Sequence, residues 1–175
     1  MDKNNLCDAM VAWMEGVQLD TYATLKFRNG YDISDYAAER ILRLYLNRLD
    51  RTYYGKRDIR AGLRVERFVF LHKGRSGQNT HYHIAFRSLG PQQQFCTVAH
   101  NIWQRNFFET CAQTSQVTPI RSLTASSRYS LHEYGALGDK TFVAAFSHLN
   151  LTSNQGITRG IELTRRLIKA LEGDE

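Results

Sequence analysis

No apolar run in this sequence approaches the roughly 20 residues that a bilayer-spanning helix needs, so no membrane association is expected. The opening Met1-Asp2-Lys3-Asn4-Asn5 lacks the basic-then-apolar design of a secretory signal. Cysteine is sparse. Cys7, Cys96 and Cys111 are odd in number and show no CxxC spacing, as expected of reduced thiols in a cytoplasmic protein. A GxxxxGK[ST] phosphate loop is missing. Repeats, low-complexity tracts and internal linkers are missing too, which predicts a single domain over residues 1–175.

What is present is an ordinary core and an excess of positive charge. A hydrophobic content of 42% suffices for one core at this length. The formal net charge of +6 favours a polyanionic partner, although a solvated basic surface would give the same count.

The most informative stretch is Thr80-His81-Tyr82-His83-Ile84-Ala85-Phe86. Its aromatic and β-branched composition, after the turn-like Lys73-Gly74-Arg75-Ser76-Gly77-Gln78-Asn79, predicts a strand entered from a hairpin loop. On a strand, residues two apart share a face, so His81 and His83 project together. Paired imidazoles suit a dry core poorly, because each ring nitrogen needs a partner, and suit a divalent metal ion well. The preceding Val65–His72 stretch also reads as a strand, which would end His72 close to where His81 begins. His72 is then a third ligand, with open positions left for water or substrate.

The remaining elements follow from periodicity. Residues 5–16 predict a short helix with Leu6, Met10, Trp13 and Met14 on one side. Tyr22–Arg28 alternates like a half-buried strand with Thr24, Lys26 and Arg28 on one face, a pattern that β-propensity alone would also produce. A helix runs from a cap at Asp32 or Ser34 to about Asp50, with an apolar stripe of Tyr36, Ala37, Ile41, Leu44, Tyr45 and Leu49. Tyr53–Gly62 reads as a basic loop whose two tyrosines would either underlie bases or anchor the loop. Pro91 opens a helix with Phe95, Val98, Ala99, Ile102 and Phe107 facing inward and Trp103 at the margin. Val117–Leu123 is a strand that Pro119 sends to an edge or a bulge. A further strand is expected over Thr141–Leu149 and a final amphipathic helix over Gly156–Glu172. His100 and His148 read as surface or packing residues.

A second informative stretch is Thr124-Ala125-Ser126-Ser127-Arg128-Tyr129-Ser130-Leu131-His132-Glu133-Tyr134-Gly135. Hydroxyl residues at one end and Gly135 at the other predict a short helix. On it Tyr129, His132 and Glu133 share one face. Tyr134, five residues on, is rotated by roughly 140° and reads as a packing residue.

Taken together, His81-Tyr82-His83, His72 and the later Tyr129 resemble the HUH endonucleases. They are most similar to the single-tyrosine replication initiators of rolling-circle plasmids and viruses. The resemblance in motif order spans about residues 22–135. It implies a ferredoxin-like or RRM-like α+β core, a largely antiparallel five-stranded sheet with flanking helices. It implies a Mg²⁺ or Mn²⁺ ion on His72, His81 and His83. The family often has glutamate at the His72 position, and Glu66 is the alternative third ligand, about 20 Å upstream along a strand. Tyr129 aligns with the nucleophile that takes a 5′-phosphotyrosine link, His132 with a lysine that orients the phosphate, and Glu133 with an acidic residue that often follows.

The resemblance further implies single-stranded origin DNA, extended or as a hairpin, as substrate. Thr24, Lys26 and Arg28 on the first strand would contact it, along with Lys73, Arg75 and Arg128. A host polymerase would extend the free 3′ end, and a helicase would come from another protein or a further domain. Two other readings stay open at this point, a single-tyrosine HUH transposase and a non-catalytic RRM-like binder of single strands. A conjugative relaxase is disfavoured by the position of Tyr129 after the histidines. A histidine-triad hydrolase is disfavoured by Ala85, where a third alternating histidine would fall.

Overall fold

The computed structural model describes residues 3–106, 109–111 and 113–150. The helix expected over 156–172, and Phe107, lie outside the described residues.

Period-two alternation produces the central sheet, made of β1 (Thr21–Lys26), β2 (Arg67–His72), β3 (His81–Phe86) and β4 (Gln116–Pro119). Its order is β2-β3-β1-β4 and every neighbouring pair is antiparallel. β4 occupies an edge and ends at Pro119, which has no N–H to give to a ladder.

The architecture is α+β, as expected, but among the described residues the sheet has four strands and not five. The chain over Thr141–Leu149 does run beside β2, bridging Phe70 to Phe142 and Arg67 to His148. It is broken into 3₁₀ turns at Gly138–Thr141 and Ala144–Phe146. The cause is packing. Phe142 joins the hydrophobic cluster on one side of the sheet and Phe146 the cluster on the other. Residues four apart on a regular strand would share a face, so the backbone has to turn over between them.

Helices cover both faces. α2 (Asp35–Tyr53) and α4 (Gln92–Asn106) pack over Ala23, Leu25, Val69, Ile84 and Phe86. On the opposite face α1 (Lys3–Gly16) lays Met10 and Met14 against Phe68, Phe70 and Ala85. Ser34 caps α2 by accepting from Ala37 N at 3.2 Å. That start turns Ala38, Ile41, Leu42, Tyr45, Leu46 and Leu49 inward, so Tyr36 and Leu44, expected in the stripe, are exposed. Trp103, expected at the margin of α4, is instead wholly buried, donating its Nε1–H to Ser115 Oγ at 3.1 Å. The expected basic loop contains a short helix, α3 (Lys56–Arg60). Tyr53 and Tyr54 pack on the core beside it, with Tyr53 5.3 Å from Phe95 between ring centroids.

On its side of the sheet α1 packs against Phe68, Phe70 and Ala85. The other end of that face carries the histidines.

Candidate metal centre

The β2–β3 register sets His72 directly opposite His81, and Phe70 opposite His83. On the other side of β3, Lys26 lies opposite His81 and Thr24 opposite His83. All three histidines therefore project from one end of one face. They are buried, with ring centroids 4.3 Å apart for His72 and His83, 5.1 Å for His81 and His83, and 5.4 Å for His72 and His81.

The last part of the site comes from α5 (Leu123–Ser130), capped by Ser122 through Ala125 N at 3.2 Å. Ser130 fixes the end of this helix against the sheet. Its hydroxyl donates to Ser126 O and so accepts from Tyr22 Oη at 2.8 Å, while its carbonyl accepts from His72 Nε2, also at 2.8 Å. The helix then stops, because Leu131 is pulled into the cluster under α1. A turn carries His132 and Glu133 into α6 (Tyr134–Leu137). The single helix expected through Gly135 is thus two helices and a turn, and Gly135 lies within the second one. Tyr134 is buried, its hydroxyl donating to Asp139 at 3.1 Å, consistent with its packing role.

The turn still brings Tyr129, His132 and Glu133 to the histidines. Tyr129 is 52% exposed, with its ring 5.1 Å from His83 and 6.1 Å from His72. His132 stacks on it at 4.7 Å and 24°. Glu133 Oε1 lies 3.6 Å from both His72 Nδ1 and His132 Nε2. Its carboxylate also accepts from Lys73 N at 2.7 Å and Gly74 N at 3.0 Å, which ties the β2–β3 loop to the turn between α5 and α6.

The pattern of hydrogen bonds decides what the histidines can do. A neutral imidazole has one N–H and one lone pair. His72 Nε2 and His81 Nδ1 face the carbonyls of Ser130 and Asn79, each at 2.8 Å, and so must be the donors. His83 Nδ1 faces Thr24 Oγ1 at 3.1 Å. That leaves a lone pair on His72 Nδ1 and His81 Nε2, and on His83 Nε2 in the tautomer in which Nδ1–H donates to the Thr24 hydroxyl. Two of these atoms, His72 Nδ1 and His83 Nε2, are buried without a hydrogen-bond partner. Buried ring nitrogens without a partner, on rings whose opposite nitrogens are held, are the arrangement of metal-ligating histidines. The three residues are placed to hold a metal ion, and a second competent group, His72, His132 and Glu133, shares His72 with the first.

Electrostatics favour the same state. Burial lowers the His72 pKa to about 4, the neighbouring imidazoles adding to the effect. Burial likewise holds His81 below its ordinary value, and His83 well below it, with Lys26 and His132 contributing to both. Neutral rings are the form that ligates.

Glu66 belongs elsewhere. It sits at the far end of β2, accepting from Asn150 N at 2.9 Å and pairing with Arg87 at 3.0 Å. It does not reach the histidines, which leaves His72 as the third member of the cluster.

The expected DNA contacts divide. Lys26 lies beside the site, while Arg28 and Arg75 are exposed on the two loops that frame it. Thr24 is engaged with His83, Lys73 with Asp35 and Thr80, and Arg128 with Asp8 at 3.3 Å. Sequence reasoning missed Tyr22, Asn79 and Ser130. Ser130 was legible only as a small polar residue next to Tyr129.

No family model, curated protein or solved structure matches this chain. Among the described residues, no helix is long and apolar enough to cross a membrane.

Proposed function

We propose that the protein is a cytoplasmic rolling-circle replication initiator that nicks and rejoins single-stranded origin DNA through Tyr129. The observation that carries this reading is the meeting of an exposed tyrosine with three buried histidines that can each offer a ring nitrogen within 4.8 Å of the others.

His72 Nδ1, His81 Nε2 and His83 Nε2 would hold Mg²⁺ or Mn²⁺. When bound, such an ion supplies Lewis acidity to a phosphate oxygen and offsets charge that develops in the transition state. Tyr129 Oη is the nucleophile. Its bond to phosphorus forms as the P–O3′ bond breaks, its own proton passes to a base, and O3′ takes up a proton to become a free hydroxyl. The product is a 5′-phosphotyrosine, whose reversal by a 3′-hydroxyl rejoins the strand. His132 restrains the phenol ring by stacking, and Glu133 holds both His132 and the loop that precedes His81.

The test is incubation with labelled single-stranded origin oligonucleotides in Mn²⁺ or in EDTA, followed by a denaturing protein gel. A metal-dependent covalent adduct lost in Tyr129→Phe is expected. An adduct that survives this change would place the nucleophile elsewhere, and binding without any adduct would favour a non-catalytic module.

A further inference from the structure

Four large apolar side chains stand exposed among the described residues: Tyr31, Tyr36, Leu44 and Tyr129. Tyr31 is 62% exposed and Tyr36 is 78% exposed. Neither is used in the mechanism above, and both belong to the end of the molecule that carries the histidines.

Their placement follows from the two loops. Tyr31 follows Gly30, whose carbonyl accepts from Thr80 N at 2.8 Å. Tyr36 follows Asp35, whose carboxylate pairs with Lys73 Nζ, and that ammonium also donates to Thr80 Oγ1 at 3.0 Å. Thr80 is the residue before His81. Each tyrosine is thus one residue from a group tied, directly or through Lys73, to the chain entering the metal strand. The two loops approach closely at Gly30, where a Cβ would clash with Asn79 Oδ1 and lie 3.0 Å from the Thr80 carbonyl.

The same rim is charged. Lys26 borders His81 and His83, Arg28 and Arg75 are exposed on the two loops, and Asp32 and Glu109 are exposed acidic groups beside Arg28. A cleft of about 340 Å³ opens on the first of these loops, lined in part by Arg28 and Asn29.

From these positions we infer that Tyr31 and Tyr36 are base-stacking platforms for the unpaired nucleotides that flank the scissile phosphate. Exposed rings beside cations are the physical requirement for holding single strands, the rings accepting bases and the cations phosphates. A duplex would present no free base faces to them. The inference rests on the nuclease reading for the identity of its ligand as single-stranded DNA.

The experiment is fluorescence anisotropy of a labelled oligothymidylate with the full chain in EDTA, beside the adduct assay in Mn²⁺. Tyr31→Ala combined with Tyr36→Ala should weaken binding by about tenfold or more, from the typical worth of one or two base–aromatic stacks. The combined Tyr→Phe changes should bind as the unmodified protein does, since phenylalanine keeps the ring. A duplex of equal length should show no such sensitivity. Two results overturn the platform: alanine variants within twofold of the unmodified protein, or phenylalanine variants as weak as alanine ones. In either case an intact Tyr129 adduct would leave the nuclease reading standing. Binding that depends on the two rings, in a protein that forms no adduct, would do the reverse, keeping the platform and overturning the nuclease reading.

Discussion

At the scale of single residues, the site depends on which nitrogen of each imidazole is occupied. Thr24 is the plainest case, because its hydroxyl is the partner of His83 Nδ1 at 3.1 Å. Without it, the ring is free to rotate or to change tautomer, and Nε2 is no longer held ready. Thr24→Val keeps the shape and β-propensity of the strand position but removes the oxygen. Mn²⁺ affinity measured by calorimetry should fall about 10- to 100-fold, the usual cost of losing a partner of a ligating histidine. His83→Ala should remove binding at this centre altogether. Equal affinity for Thr24→Val and the unmodified protein would mean that Thr24 acts on some other ligand, such as the DNA expected from its place on β1.

At the scale of elements, Glu133 is the joint between the α5–α6 turn and the β2–β3 loop. Its side chain is only 11% exposed and accepts from two successive backbone N–H groups, one of them on Gly74 in a positive-φ conformation. Glu133→Gln leaves one acceptor oxygen and removes the charge, at a cost of roughly 1.5–3 kcal/mol for hydrogen bonds to a charged group. Hydrogen exchange should accelerate at Lys73 and Gly74 with little change in β1. Unchanged protection at both amides would show that the loop is held by Lys73 and Asn79 alone. This joint also marks what the sequence concealed. The strand carrying His81 and His83 was legible to within a residue, since alternation and a glycine-rich turn both announce it. The pairing of His72 with His81 followed from the short loop. The break after Ser130 was not legible, because it arises from Leu131 being drawn to α1, a contact distant in sequence. The irregular course of Thr141–Leu149 has a similar origin, with Phe142 and Phe146 claimed by opposite cores. Ser130 itself looked like one hydroxyl among several, and only its contacts with Tyr22 and His72 distinguish it.

At the scale of the whole molecule, burying several histidines couples stability to pH. In an unfolded chain imidazoles take up protons near pH 6.5. In the folded chain burial holds His72 at about 4 and lowers His81, His83, His100 and His148 as well. Between those limits the unfolded state binds more protons than the folded one, so stability rises with pH. The contribution is complete above about pH 6.5 and is lost as pH falls towards about 4. Urea unfolding of the metal-free protein in EDTA should therefore show a midpoint that drops between pH 7 and pH 5. Replacing His83 with a neutral side chain that cannot titrate should flatten this slope. Mn²⁺ should raise the midpoint at pH 7, by about 2.7 kcal/mol of stability at a free concentration of 100 times Kd. The increment should shrink towards pH 5, where protons compete for the same lone pairs. A midpoint independent of pH in EDTA would mean that the imidazoles are already charged or solvated in the folded state. The buried neutral cluster, and the metal centre argued from it, would then both be wrong.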